Sequence, residues 1–343
     1  MDAAAVARAV VLVRRPDGEP QAGDFTVEER PLPELEPGQL LVRNAFMSVD
    51  PSMRGRLEET EKHYTTNFRV GDPLDGSAVG RVVASNADGV PVGAHVRHRL
   101  GWRDLAVVEA AAATVVDPSR APLTQWLGVL GQTGFTAYAG LLRAAELRAG
   151  DTVFVSAAAG AVGTAAAQFA RLMGASRVVG SAGGEHKVRL LVDELGLDGA
   201  IDYRAESIRD GLARVAPGGI DVYFDNVGGD HLVGALDAMN LSGRVALCGM
   251  MSQFDATGPR PSVDHLIQAV LKRVTLRGFI VRDHEDLRPE FEQRVSAWLR
   301  SGELVSRTTV VDGLDRSVEA FLGMLRGDNV GKMLVRLDPE VEA

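Results

Sequence analysis

Asp151–Gly163 reads DTVFVSAAAGAVG: a strand, a tight turn of small residues, and the first turn of a helix. Thr152, Val153, Phe154 and Val155 are β-branched or aromatic, which suits a buried strand. Ala157 to Gly163 then carry no bulky polar side chain. A dinucleotide pyrophosphate needs backbone N–H groups within contact distance at a helix N-terminus, and a large side chain there would block its approach. The usual fingerprint is G-x-G-x-x-G; here it is A-x-G-x-x-G, with Ala158, Gly160 and Gly163 at the three positions. Ala165, Ala166, Ala167 and Ala170 keep one face of the helix thin. A close-packed strand–helix corner without a ligand would share this composition, and it is the strand–helix alternation downstream that favours a nucleotide site. Val153–Ala170 carries no charge, yet Ser156, Thr164, Gln168 and the glycines speak for strand plus helix over a membrane span.

Around this stretch, 343 residues are enough for two domains with ample core. The net charge of −9 argues against nucleic acid as a partner. The single cysteine, Cys248, excludes an internal disulfide and a multi-cysteine zinc cluster. The apolar run Ala9–Val13 is too short for a signal peptide and runs into Arg14, Arg15 and Pro16, so a cytoplasmic protein with no membrane partner is expected.

From Val6 to about Leu127 short strands and turn residues dominate, with strands expected at Phe25–Glu29, Gln39–Asn44, Gly76–Ser85, His95–Leu100 and Asp104–Val108. Pro122–Gly128 and Thr136–Arg143 look helical. Strands then alternate with helices: Thr152–Ser156, Arg177–Gly180, Ala200–Tyr203, Val222–Asn226, Arg244–Cys248 and Leu276–Val281, with helices such as Glu185–Leu195, His231–Met239 and Val263–Leu271 between. Right-handed crossovers make these a doubly wound parallel sheet, so the fold class is α/β with a Rossmann domain. A helix at Phe291–Leu299, another at Leu314–Leu325 and a strand at Lys332–Leu337 are expected to return to the β-rich lobe. The expected division is residues 1–127 with 295–343 as a discontinuous, mostly β domain, and 128–294 as the Rossmann dinucleotide-binding domain.

These segments carry a family resemblance over nearly the whole chain. VDPSMRGRL (Val49–Leu57), PLDGSAVGRVV (Pro73–Val83), GVLGQTGFTAYAGLL (Gly128–Leu142), VSAAAGAVG (Val155–Gly163), DVYFDNVGG (Asp221–Gly229), CGMMSQF (Cys248–Phe254), RGFIV (Arg277–Val281) and NVGK (Asn329–Lys332) resemble the zinc-independent medium-chain dehydrogenase/reductases. Within them the similarity is to the prostaglandin, curcumin and alkenal reductase branch. The resemblance implies a GroES-like, partly open barrel for the first domain and NADPH-dependent reduction of the carbon–carbon double bond of α,β-unsaturated ketones and aldehydes. It also implies that Ala159, Gly160, Ala161 and Val162 wrap the pyrophosphate, that Lys187 meets the 2′-phosphate, and that Tyr203 lies near the adenosine. Asn226, Cys248, Gly249, Met250, Ser252, Phe254, Phe279, Ile280, Val281 and Asn329 would line the nicotinamide half. The chain departs from the family pattern at Ser52, Gln132, Thr133 and Phe254, which bears on substrate identity more than on reaction class.

Residue chemistry adds to this. NAD-specific sites place an acid at the end of the second strand; here that region is Gly180, Ser181, Ala182, Gly183, Gly184, and Ser181 with Lys187 could meet a 2′-phosphate. A solvated helix lysine is the alternative for Lys187. Zinc alcohol dehydrogenases need a Cys, a His–Glu pair and a third ligand, whereas Gly76–Gly80 holds no His–Glu pair. His95 and His98 read as surface imidazoles, so no metal is expected. Without metal, enone reduction is the easier chemistry: hydride goes to the β-carbon and the enolate needs hydrogen-bond donors and a proton. Tyr64, the cofactor ribose hydroxyl, backbone N–H groups and water are donor candidates. Arg54 and Arg56 are either oxyanion partners or structural, and Cys248 reads as a packing residue. A quinone reductase of the same superfamily and a non-catalytic NADPH-binding protein are the rival functions. A homodimer through the edge strand Leu276–Val281 is expected.

Overall fold

The structure is a computed structural model and describes residues 6–59, 65–253 and 265–340. Two compact units divide the chain: residues 1–128 with 308–343, and residues 129–307.

The second unit is built on six parallel strands: β1 (Thr152–Val155), β2 (Arg177–Ala182), β3 (Gly199–Asp202), β4 (Ile220–Asp225), β5 (Met239–Leu247) and β6 (Thr275–Gly278). Their order is 3-2-1-4-5-6, so the sheet reverses direction of growth between β1 and β4. The described helices of this unit are α1 (Gln132–Ala139), α2 (Ala161–Leu172), α3 (Glu185–Arg189), α4 (Ile208–Val215), α5 (Gly229–Ala238), α6 (Ile267–Leu271) and α7 (Arg288–Ser301). α1 and α3 each continue as one wider π turn, Gly140–Ala144 and Leu190–Glu194. The core joins Phe154, Val179, Ile201 and Tyr223 of the strands to Leu212 of α4 and Leu232, Ala235 and Leu236 of α5. α4 starts where Ser207 Oγ accepts the Asp210 N–H, and α7 runs from Pro289 in its first turn to Gly302, whose φ of 77° ends it.

Two sequence expectations need correcting here. The sixth strand ends at Gly278, not Val281: Phe279 and Ile280 leave the ladder and Val281 opens a 3-10 turn to Leu287. The chain returns to the first unit at Thr308, not at 295. α7 stays with the second unit because Phe291 packs against Phe135 and Tyr138 of α1, with ring centroids 5.1 and 5.6 Å apart.

The first unit is mostly β. Val6–Leu12 pairs antiparallel with Phe25–Pro31. A seven-stranded sheet runs Thr308–Asp312, Lys332–Arg336, Gln39–Ser48, Ala78–Ser85, His95–His98 and Thr114–Val116, with Leu105–Glu109 also pairing on Gln39–Arg43. Gly80 is required inside Ala78–Ser85, since a Cβ there would lie 2.2 Å from the Arg43 carbonyl oxygen. Trp102 and Phe25 each meet Phe321 edge-on in its core. Pro122–Gly128, expected helical, holds only the 3-10 turn Leu123–Trp126.

Candidate dinucleotide site

Each expected binding residue of the second unit that the structure describes lies in, or just after, the C-terminal end of a parallel strand. After β1, Ala157, one residue before the first fingerprint position, takes a left-handed φ of 49° at the tight reversal, at a cost of about 1 kcal/mol for an alanine. The two glycines differ in what they do. A Cβ at Gly163 would lie 2.2 Å from the Ala157 carbonyl oxygen and 2.7 Å from the Ala158 Cα, so Gly163 lets α2 sit on β1. A Cβ at Gly160 would meet only the Ala157 oxygen, at 3.3 Å. No other neighbour within the protein requires its small size, which leaves the position open to a ligand. Gly160 also caps α2 without a side chain, so Ala161, Val162 and Gly163 present first-turn N–H groups that have no intrahelical acceptor.

After β2, the Ser181 hydroxyl is buried without a protein partner among the described residues. Lys187 on α3 is only 8% exposed, which removes the solvated-lysine alternative. Glu185 is exposed and faces Arg189, so no carboxylate stands at the end of β2 itself; Asp202, from β3, accepts the N–H groups of Gly184 and Arg204. Tyr203 and Arg204 close over the turn, since a Cβ on Gly183 would come within 2.6 Å of the Tyr203 hydroxyl and 2.9 Å of Arg204 Nε. The Tyr203 ring meets His231 of α5 edge-on at 5.4 Å. Burial pushes the His231 imidazole down to about 4, so it is neutral at pH 7. Arg204 and His231 carried no motif in the sequence; only the fold brings them beside Gly183 and Tyr203.

After β4, Asn226 is buried and donates its side-chain amide to the Ser156 carbonyl. The chain after β5 runs alongside: Cys248 and Gly249 donate N–H groups to the Asp225 carbonyl, and the Ser252 hydroxyl donates to the Val227 carbonyl. Gly228, with φ of 72°, has Met250 Sδ 2.3 Å from where its Cβ would be. Burial, then the Asp225 charge, push the half-buried Cys248 thiol up to about 12, so it stays protonated and is no nucleophile. Phe279 sits against Phe224 at 6.4 Å, while Ile280 is 38% exposed.

In the first unit, Asn329 donates to the Gly331 carbonyl within its turn. Arg56 is fully engaged: two bonds of 2.6 Å reach Asp75, Nε reaches the Thr66 carbonyl, and the guanidinium lies 3.9 Å over the Phe68 ring. Arg54 donates to Glu58 and to the Gly18 carbonyl. Both arginines are therefore structural. His98 is a correction: it is a buried imidazole, not a surface one, with Nε2 on Asn44 and Nδ1 accepting the Leu100 N–H, and burial, then Arg103, push it down to about 4. No group of three or more metal-ligating side chains occurs among the described residues. Nor is any described helix long and apolar enough to cross a membrane. Tyr64 and Phe254 lie outside the described residues.

An open Gly160, bare N–H groups on α2, an unpartnered Ser181 hydroxyl and a sheet that reverses beside them fit a dinucleotide; the fold and site define a nucleotide-dependent oxidoreductase. A family model described as the N-terminal domain of oxidoreductase matches residues 8–116, and one described as zinc-binding dehydrogenase matches residues 161–300. The putative NADP-dependent oxidoreductase YfmJ of Bacillus subtilis is 39% identical over 96% of this chain and 98% of its own. The NADPH-dependent curcumin reductase of Escherichia coli is 36% identical over 95% of this chain and 96% of its own. The crystal structure of CurA from Vibrio vulnificus in complex with NADPH has a TM-score of 0.90 at 37% identity, covering 96% of this chain and 99% of that one. The chain belongs to the medium-chain dehydrogenase/reductase family, in its curcumin, alkenal and prostaglandin reductase branch.

Proposed function

We propose that the protein is an NADPH-dependent reductase of the carbon–carbon double bond of α,β-unsaturated ketones and aldehydes. The observation that carries the cofactor choice is the end of β2 and the turn after it, where Ser181, two glycines and a buried Lys187 stand, while the acids nearby are engaged elsewhere, Glu185 toward Arg189 and Asp202 on the Gly184 and Arg204 N–H groups. A 2′-phosphate needs a cation and small donors there, whereas the ribose hydroxyls of NADH need a carboxylate. NADPH-dependent relatives in the branch support it. The bound cofactor supplies the hydride, to the β-carbon of the substrate. This chain's own part is to seat the pyrophosphate on the α2 N–H groups, to hold the nicotinamide half with Asn226 and the 248–252 segment, and to steady the enolate. Tyr64 is assigned as the donor to the enolate oxygen, with the ribose hydroxyl or water as the alternatives. The neutral Cys248 thiol takes no covalent part.

A second copy of this chain is the proposed partner, pairing at the open edge of β6. Leu241, Leu266, Ile267, Val270 and Leu271 lie exposed on the neighbouring stretch of β5 and on and beside α6. Exposed apolar residues beside an open strand edge are what a two-fold sheet extension covers.

NADPH oxidation is measured with a cyclic enone, an alkenal and a quinone, before and after dialysis against a chelator. Turnover of enone and alkenal that survives the chelator, with product reduced at C=C, is the expected result. Preference for the quinone by kcat/KM would favour the rival reductase, and no turnover of any would favour a binding protein. Tyr64→Phe should lower kcat about 100-fold and leave NADPH affinity intact. An unchanged kcat, with hydride transfer shown by a deuterium isotope effect to limit the rate, would remove Tyr64 from the mechanism.

A further inference from the structure

The sheet order reverses between β1 and β4, and a buried polar network spans that reversal from below. Tyr223 of β4 lies opposite Phe154 of β1 in the ladder, and the two rings stack at 4.9 Å and 13°. The Tyr223 hydroxyl, wholly buried, donates to Asp225 Oδ1 at 2.6 Å and lies 3.0 Å from Ser156 Oγ. Asp225 Oδ1 also accepts the N–H groups of Val227 and Gly228, at 2.9 and 2.7 Å. Ser156 Oγ accepts the Asn226 N–H at 2.9 Å, and the Ser156 carbonyl accepts the Asn226 amide at 2.8 Å. Ser156 immediately precedes Ala157 with its left-handed φ. One phenol, one carboxyl and one hydroxyl thus join the turn after β1 to the turn after β4.

A phenylalanine at 223 would stack on Phe154 as well and would bury no polar atom. The phenol and carboxyl carry a desolvation cost that a parallel-sheet core does not require. Asp225 shows this directly: its Oδ2 is buried with no partner among the described residues, and burial raises its carboxyl above the usual range. The bonds that Asp225 Oδ1, Tyr223 and Ser156 do make still tie the two turns to one arrangement, where apolar packing alone tolerates several. In doubly wound sheets the dinucleotide lies across the reversal, with its pyrophosphate on the β1 turn and its nicotinamide half toward β4 and β5.

We propose that Tyr223, Asp225 and Ser156 are positioning residues that set the separation and tilt of the Ala157–Gly160 and Asn226–Gly228 turns, and thereby the seat of the nicotinamide half of the dinucleotide. The adenosine end, held after β2 and β3, is set independently of them. The proposal rests on dinucleotide binding by this unit and not on the enone as substrate, so its test uses binding alone.

Tyr223→Phe keeps the ring, the volume and the stack, and removes only the hydroxyl. Affinities for NADP+ and NAD+, and for 2′,5′-ADP, which occupies the adenosine end only, are measured by calorimetry. NADP+ and NAD+ should both weaken about tenfold, the loss of one hydrogen bond to a carboxylate. 2′,5′-ADP should bind within about twofold of the parent protein, inside the spread of effects at sites with no shared contact. Ser156→Ala should act alike, and the double variant should lose far less than the sum of the two, because the residues share one network. Unchanged NADP+ affinity would overturn the proposal. So would equal weakening of 2′,5′-ADP, which would mean general loosening of the unit, and so would additive losses in the double variant.

Discussion

Lys332 opens a strand of the first unit and meets Asp50, just past the end of Gln39–Ser48 and far away in sequence. The buried Lys332 ammonium donates to the Val49 carbonyl and to Asp50 at 2.8 Å. Burial alone would raise the Asp50 carboxyl, but the Lys332 charge and its hydrogen bond, with one from Ser48, hold it below the usual carboxylate range. This depressed value gives stability that is present at neutral pH and is lost as pH falls through it. In Lys332→Met burial, the largest effect, is opposed only by the Ser48 hydrogen bond and the Arg99 charge, so the sign is expected to reverse: the folded Asp50 binds its proton more tightly than the unfolded one. Stability is then lost as pH rises. Urea midpoints should show a deficit of about 3 kcal/mol at pH 7 that shrinks toward pH 5; a deficit independent of pH would count against it. On the second unit, Lys187→Ala should raise the NADPH KM by at least about tenfold, for a charge-assisted contact, and leave NADH little changed. Equal loss with both cofactors would remove Lys187 from 2′-phosphate recognition.

The β1–turn–α2 element separates a glycine that packing requires, Gly163, from one that packing leaves open, Gly160. Gly163→Ala forces a methyl onto backbone that cannot move cheaply, and should destabilise by about 1–3 kcal/mol. Gly160→Ala, with a single contact of 3.3 Å to absorb, should leave the melting temperature nearly unchanged but weaken NADP+ binding about tenfold or more. Thermal melts and NADP+ titrations on both variants check this, and a Gly160→Ala protein that binds normally would show that the ligand does not use this turn. The element was legible because its residue types serve strand, turn and helix in succession over one short stretch. Phe279, Ile280 and Val281 misled in the opposite sense: aromatic and β-branched, they read as strand, yet the chain has already left the ladder at Gly278. Val6–Leu12 and Thr308–Asp312 carry no clear strand signal of their own, the first because its apolar run ends in Arg14–Arg15–Pro16, the second because nothing local marks it as the partner of Lys332–Arg336. Tyr223, Asp225 and Ser156 could not be read together at all, since only the β1–β4 register joins residues some 70 positions apart.

For the whole molecule, the β6 edge carries a prediction of assembly. Light scattering at micromolar concentration should give twice the chain mass, and Val270→Glu, a charge at a site 71% exposed, should give the monomer with its fold intact. A monomeric parent protein would refute the pairing. Chain order has its own consequence. The second unit is one unbroken stretch set between two parts of the first, so a ribosome finishes it before Thr308–Asp312 and Lys332–Arg336 emerge. Until then Phe46, Met47 and Ser48 lack the strand that will cover them, and a half-made sheet waits with an open apolar edge. The newborn chain is thus most exposed to chaperones and to misassembly at this seven-stranded sheet, and a stop codon near position 307 should release a folded nucleotide-binding unit trailing an insoluble first lobe.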